Sequence, residues 1–473
     1  MKWFYDYFHF RAHKADLRHE ISAGFTIYFS MVYVVFTIPM TLIHAFPGAY
    51  DGVGVPILES FVSGVPVAAL LSSLAFATCI TAGVSTIFLA FYARLPLALA
   101  PSLGLSLFFT YYLCLELGYT YYQALAAIFI SGILFFILNI CGWRQKLLHA
   151  IPDNLKYAIS AGLGLFLAFA GLQKAKIIIP KEYTLIGLNN LSNLSDPYVR
   201  GALLTIVIVI FTAILIKYKI PAAILIGKVL CIIAAIPLGL ITSVDTISYS
   251  GNLSLAPLFM QMDFEGLFAS SFSSVGAFFN QFILVIITIT LVDVFESIGT
   301  LIGSGHKIDI LNEEKHPKRL RRAMMTDSLA TIGGAITGVP PISVYAESSA
   351  GIAENGKTGV TALVAGILFL LTSFAAPYVS LIPACAAAST MIVVGAFMLD
   401  AFSHMTFDDI TETIPSFFII IMSPLTNSIA TGIGFGIISY TLIRLFTGHA
   451  KEIHPLLYAL TVLFASRFLF LNW

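Results

Sequence analysis

The chain has 473 residues, 58% of them hydrophobic and 11% charged, and its 25 Lys and Arg balance its 25 Asp and Glu. With a mean hydropathy of +0.92, it has too little polar surface to cover a water-soluble core, since soluble domains are about 25% charged. A cytosolic enzyme, a secreted disulfide scaffold and a nucleic-acid binder are excluded, the last also because no net charge attracts a polyanion. The chain reads as an all-α integral membrane protein.

Residues 1–20 are aromatic and basic, lack a signal-peptide cleavage pattern, and are expected to stay in the cytoplasm. A bilayer needs about 20 largely apolar residues per helix. In chain order the candidates are 21–43, 65–93, 96–114, 120–141, 155–173, 201–217, 220–242, 275–304, 322–338, 343–354, 358–376, 384–399, 411–425 and 427–446, fourteen in all. A last apolar stretch, 455–470, contains Arg467 and is expected to be interfacial. With the N-terminus inside, this count places Arg94, Arg144, Lys146, Lys156, Lys217, Lys219 and the cluster Lys307–Arg322 on the cytoplasmic side. Connections 44–64 and 243–274, which contain neither Lys nor Arg, fall outside. The exception is 174–200, with Lys174, Lys176, Lys181 and Arg200.

Fourteen spans divide into two sevens, and an odd-numbered set repeated in tandem must be inverted in the membrane. Transporters on this plan bind ligands at broken helices in corresponding positions. Segments three and ten fit: Pro96 and Pro101 in one, Pro340 and Pro341 in the other, precede runs of small residues. Proline excludes helix on its N-terminal side, so each segment is expected to hold a short extended break leading into a half-helix. The alternative is a pair of kinked structural helices.

Ionisable residues inside spans are costly and are functional candidates. Asp293, Glu296 and Thr300 recur at i, i+3 and i+7 in segment eight and so share a helix face. Glu347 stands at the start of the half-helix of segment ten. Carboxylates facing one cavity can accept hydrogen bonds from ligand N–H groups and can carry a proton; each can instead be a structural pair or cap. Asp327 is expected to pair with Arg321–Arg322 or cap a helix, and Lys228 to snorkel to the cytoplasmic face. Cys79, Cys114, Cys141, Cys231 and Cys385 show no CxxC spacing and read as small hydrophobes. Gly351–Thr358 matches the phosphate-cradling pattern GxxxxGK[ST], but its flanks are membrane segments, so no nucleotide is expected there.

Four motifs carry a resemblance: Ala100-Pro-Ser-Leu-Gly-Leu-Ser106-Leu-Phe-Phe109, Val294-Phe-Glu296-Ser-Ile-Gly-Thr300-Leu-Ile-Gly303, Tyr345-Ala-Glu347-Ser348-Ser-Ala-Gly351 and Gly356-Lys-Thr-Gly359-Val-Thr-Ala362. In this order they resemble the AzgA-like purine permeases of the nucleobase–cation symporter-2 (xanthine/uracil permease) family, over about residue 18 to the C-terminus. The resemblance implies two inverted sevens arranged as a core (21–150 and 275–378, segments 1–4 and 8–11) and a gate (151–243 and 383–446, segments 5–7 and 12–14), with 447–473 as a terminal apolar segment. It implies proton-coupled import of adenine, guanine or hypoxanthine. It also implies that the residues at Glu296 and Glu347 bind the base and that a tyrosine at Tyr345 can contact the ring.

Ser106, Thr300 and Ser348 complete the expected polar rim, with Asp293, Glu296 and Glu347 as proton-coupling candidates. Related permeases usually carry Asn where Ser106 stands and Asp where Glu296 stands, departures that bear on which base is taken. The resemblance implies the proton as coupling ion, and no cofactor, metal or nucleic acid is expected. The expected partners are the base, the bilayer of a bacterial inner membrane and a second copy joined through the gate. Two other readings stay open: an anion transporter or channel of similar inverted-repeat fold, and a uracil/xanthine permease.

Overall fold

The computed structural model describes residues 2–50, 57, 60–62, 64–142, 150–181, 185–218, 220, 223–240, 253–271, 282–305, 317–345, 347–381, 383–426 and 428–470. The first apolar stretch forms α1 (Leu17–Met31) and α2 (Val34–Leu42), separated by a short break at Val32–Tyr33. Threonine hydroxyls bond back along α2, Thr37 to the Tyr33 carbonyl at 2.9 Å and Thr41 to that of Thr37 at 3.0 Å. Such back-bonds bend helices. α3 (Val67–Tyr92) follows, then strand β1 (Leu99–Pro101) and the short α4 (Leu103–Leu107), continued by a wider helical turn over Phe108–Glu116. α5 (Tyr121–Ile140), α6 (Asp153–Lys174), α7 (Pro197–Lys217) and α8 (Ala223–Ala235) complete the first part.

The second part repeats the pattern. α9 (Leu284–Gly305) and α10 (Pro317–Thr337) lead to strand β2 (Ile342–Val344) and the half-helix α11 (Ser348–Ala353). Then come α12 (Gly359–Thr372), α13 (Ala384–Met398), α14 (Ile410–Leu425), α15 (Ile429–Phe446) and α16 (Pro455–Phe470). Among the described residues, eight helices are long and apolar enough to cross a membrane: Leu17–Ala45, Val67–Tyr92, Tyr121–Ile140, Asp153–Lys174, Pro197–Lys217, Gly359–Tyr378, Ala384–His404 and Ile429–Phe446. Shorter apolar helices include Leu103–Glu116, Ala223–Ala235 and Ile410–Leu425.

The two proline-broken segments meet. β1 and β2 pair antiparallel with Leu99 opposite Val344, Ala100 opposite Ser343 and Pro101 opposite Ile342. The ladder extends through Ser102 N–H to Pro341 C=O at 3.0 Å and Tyr345 N–H to Ala98 C=O at 3.1 Å. Backbone polar groups inside a membrane protein must find protein partners, and these two extended pieces satisfy each other. A threonine pins each from a neighbouring helix. Thr86 of α3 donates to the Leu99 carbonyl (3.0 Å) and accepts its N–H (2.9 Å), and Thr331 of α10 does the same with Ile342 (3.3 and 3.4 Å). Gly338, at φ +89°, turns the chain from α10 toward β2, where a side chain would meet Leu258 at 2.6 Å.

Helices approach closely where small residues face backbone. A Cβ on Gly395 would lie 2.4 Å from the Gly164 carbonyl, and one on Gly366 would lie 3.0 Å from that of Gly83. Close backbone contact of this kind is what joins apolar helices when lipid removes the hydrophobic drive between them. α3 packs on α12 and α5 on α10; α6 packs on α13 and α14, α7 on α8 and α13, α14 on α15. α16 lies against α15, where a Cβ on Gly434 would touch Phe464 and Phe468.

Candidate functional site

Both expected carboxylates lie beside the paired strands. Glu296, on α9, accepts a short hydrogen bond from the Ser102 hydroxyl through Oε1. Ser102 also caps α4, accepting the Leu105 N–H at 3.2 Å, because an N-cap serine satisfies an otherwise orphaned amide. Glu347 directly precedes α11, and its Oε1 accepts the Tyr33 hydroxyl at 2.6 Å. Tyr345, buried at 7% exposure, sends its hydroxyl to the Pro101 carbonyl at 2.6 Å and so ties β1 to the turn before α11.

The remaining expected residues fall into different positions. Asp293 is fully buried and its Oδ2 accepts the Thr331 hydroxyl at 3.1 Å, which links α9 to the threonine that pins β2. Ser348 accepts the Ala98 N–H at 3.0 Å, and Ser106 donates to the Ser102 carbonyl at 2.5 Å; both are fully buried. These two hydroxyls serve the backbone of the broken segments. Of Thr300 only the helical backbone is described, so its expected role lies outside the described residues.

Two expectations are corrected. Lys228 does not snorkel: at 2% exposure its ammonium donates to the Tyr33 carbonyl (3.2 Å) and the Thr37 hydroxyl (3.1 Å), acceptors from another helix that replace water. Asp327 does not pair with Arg321 or Arg322 among the described contacts. It is fully buried and takes the Ser297 hydroxyl on Oδ2 at 2.5 Å. Arg321 instead donates to the Ile140 carbonyl at 3.2 Å, and Arg322 lies 5.8 Å over the Tyr92 ring. Two of the four cations that broke the charge pattern in 174–200 are also tied down: Lys174 donates to the Met40 carbonyl at 3.0 Å and Arg200 to that of Leu238 at 2.5 Å.

The nucleotide-like stretch Gly351–Thr358 wraps a carboxylate of the chain itself. Glu20, fully buried, accepts the N–H groups of Lys357 (2.9 Å), Thr358 (3.1 Å) and Thr361 (3.3 Å) and the Thr361 hydroxyl (2.6 Å). The anion at the start of α12 is therefore internal, placed where helix N-terminal amides favour negative charge. Sequence reasoning did not single out Ser102, Tyr33, Thr331 or Glu20. The first stood inside a quoted motif; the hydroxyls of the other two and the early position of Glu20 gave no signal of their long-range partners.

Comparison with known proteins follows from this geometry. The family model described as Xan_ur_permease, "Permease family", matches residues 18–435. The chain is 36% identical over 468 residues to the guanine/hypoxanthine permease PbuG of Bacillus subtilis, covering 98% of this chain and 99% of that protein. It is 31% identical over 465 residues to the adenine permease AdeP of Escherichia coli, covering 98% and 96%. In three dimensions it resembles the transmembrane domain of the cyanobacterial bicarbonate transporter BicA, with a TM-score of 0.57 at 15% identity, over 88% of this chain and 97% of that one. At that identity the likeness establishes the fold alone.

Proposed function

The chain belongs to the permease family whose model covers residues 18–435, and from that premise we propose that it imports purine nucleobases, adenine, guanine or hypoxanthine, by proton symport. The observation that carries this reading is the pair of half-buried carboxylates, Glu296 and Glu347, set at the two half-helix starts that the β1–β2 ladder brings together. A purine presents ring N–H and exocyclic amino donors, which carboxylates accept and which a site built only of helix N-termini would not. Each carboxylate takes a hydroxyl on Oε1, and either can bind a proton where a charge within the membrane is expensive. Permeases of guanine/hypoxanthine and of adenine at 31–36% identity over nearly the whole length support the substrate class.

In this reading α1–α5 with α9–α12 form the core, and α6–α8 with α13–α15 the gate. The repeated packing pairs, α3 on α12 like α10 on α5, and α14 on α6 like α7 on α13, support two inverted sets of seven segments. The core moving against the gate would alternate access to the site. The protein would sit in the bacterial inner membrane with its N-terminus in the cytoplasm, as a dimer through the gate.

The rival anion reading draws on the BicA-like fold, but an anion site would not place Glu347 at the mouth of its half-helix with Glu296 of α9 facing the start of the other. The deciding experiment is uptake of radiolabelled adenine by cells expressing the chain, with guanine, hypoxanthine, xanthine, uracil and bicarbonate as competitors. Competition confined to purines and abolished by a protonophore is the expected result. Bicarbonate transport without purine uptake would overturn it.

A further inference from the structure

Lys228 is a buried ammonium that the transport reading does not use. It sits on α8, which packs with α7 and α13, yet its head reaches across to the start of α2. Two of its three protons are taken, by the Tyr33 carbonyl and the Thr37 hydroxyl. The rings of Tyr33 and Phe36 lie 5.8 and 5.4 Å from Nζ, so their negative faces add to the stabilisation. Among the described residues no carboxylate comes within 4.0 Å of it. Burying a lysine amine away from any described carboxylate is expensive, so its place calls for a role that an apolar side chain could not fill.

The residue it holds points to that role. The Tyr33 carbonyl receives Lys228, while the Tyr33 hydroxyl holds Oε1 of Glu347 at 2.6 Å. The same carbonyl also receives the Phe36 N–H and the Thr37 N–H and hydroxyl, at the short break between α1 and α2. Lys174 of α6 grips the other end of α2 through the Met40 carbonyl. Lysines from one helix group therefore fix both ends of a helix in the other.

We infer that Lys228 is a positioning residue of the substrate site: from the opposing helix group it fixes Tyr33, and Tyr33 in turn sets Glu347 for the ligand. A hydrogen bond to oxygen fails beyond about 3.5 Å, so any sliding of the two groups by a few ångströms removes the Lys228 contact that fixes Tyr33 from the opposing group, and alters how Tyr33 holds the carboxylate. The affinity of the site is thereby tied to the relative position of the groups. This inference rests on the nucleobase reading above.

A double-mutant cycle on the purified full-length protein tests it, with dissociation constants for adenine, guanine and hypoxanthine as the readout. Lys228→Met keeps the stem and removes every donor; Tyr33→Phe removes only the hydroxyl that Lys228 positions. We expect Lys228→Met to weaken binding about tenfold in the native background and by no more than about twofold when Tyr33 is already Phe, because contacting positions couple and independent ones add. A purely structural lysine would give equal losses in both backgrounds, and that result, or unchanged affinity in Lys228→Met, would overturn the inference. Should Lys228→Met not be recovered as a monodisperse protein, Lys228→Gln, with an amide donor, takes its place in the same cycle under the same criteria. Failure of the wild-type chain to bind any of the three bases would instead sink the nucleobase reading.

Discussion

The two broken segments share a frame and differ in chemistry. In each, proline stops the helix, a strand of three residues pairs with its counterpart, and a threonine from the preceding long helix holds both the N–H and the C=O of the first strand residue: Thr86 on Leu99, Thr331 on Ile342. In each, a group from the leading helix of the other half reaches the start of the half-helix. There the symmetry ends. The acid lies on the leading helix in one pair, Glu296 facing Ser102, and beside the half-helix in the other, Glu347 facing Tyr33. What the halves share keeps a polar backbone satisfied inside the membrane; what they do not share is available for a ligand without symmetry, such as a purine.

The comparison breaks most sharply if the carboxylates are dispensable. Glu347→Gln and Glu296→Gln should each weaken base binding by about tenfold to 150-fold, the cost of about 1.5–3 kcal/mol for losing a charged hydrogen bond. Membrane insertion should be unaffected, because the strands and threonines stay in place. Wild-type uptake in both variants would assign the carboxylates to the shared frame.

That division also explains what the sequence could reveal. Pro96, Pro101, Pro340 and Pro341 announce the breaks because proline's missing N–H acts locally. The register of β1 on β2 was not legible, since a strand of three residues takes its partner from tertiary structure 241–245 positions away. Glu296 and Glu347 stood out because a charge in an apolar run is rare. Ser102, Tyr33 and Thr331 did not, because a hydroxyl on a membrane helix most often bonds its own backbone, as Thr37, Thr41 and Ser106 do here. Lys228 was misread for a related reason: only the fold brings the Tyr33 carbonyl and the Thr37 hydroxyl to a lysine that otherwise has no route but the interface.

The threonine pins sharpen the comparison next. Removing the hydroxyl strands a buried N–H and C=O, so Thr86→Val and Thr331→Val should each cost about 1–3 kcal/mol, read as a lowered thermal midpoint in detergent. The two should separate on uptake. A hydroxyl has one proton, and that of Thr331 is shared between the Ile342 carbonyl at 3.3 Å and Asp293 at 3.1 Å, one helical turn from Glu296. Thr331→Val should therefore impair uptake in molecules that remain folded, whereas Thr86→Val should spare it. Equal transport defects would mean that Asp293 plays no part beyond the frame.

Smaller effects are expected from the donors. Ser102→Ala loses both the hydrogen bond to Glu296 and the cap on α4, the cap alone being worth about 1 kcal/mol, and should lower stability more than Tyr33→Phe does. Tyr33→Phe removes only the bond to Glu347 and should show mainly in affinity. The reverse order, from parallel thermal-shift and binding measurements, would place the structural load on the Tyr33 side.

The smallest effect is the most informative about substrate choice. The resemblance read from the sequence leads one to expect Asn and Asp where this chain has Ser106 and Glu296, and the structure connects the two positions through a single residue: Ser106 donates to the Ser102 carbonyl while the Ser102 hydroxyl donates to Glu296. An asparagine at 106 brings two donors and an acceptor in place of one hydroxyl, and its longer side chain cannot keep the same back-bond within a fully buried turn. Ser102 would shift with it, and so would its bond to Glu296. Ser106→Asn should therefore change affinities for adenine, guanine and hypoxanthine by a few-fold and reorder them, and adding Glu296→Asp should partly restore tight binding. The two changes should couple by about 0.5–3 kcal/mol in a cycle of inhibition constants, as positions sharing a partner do. Strict additivity with an unchanged ranking would show that Ser102 does not transmit between them, and that the departure at 106 belongs to helix packing alone.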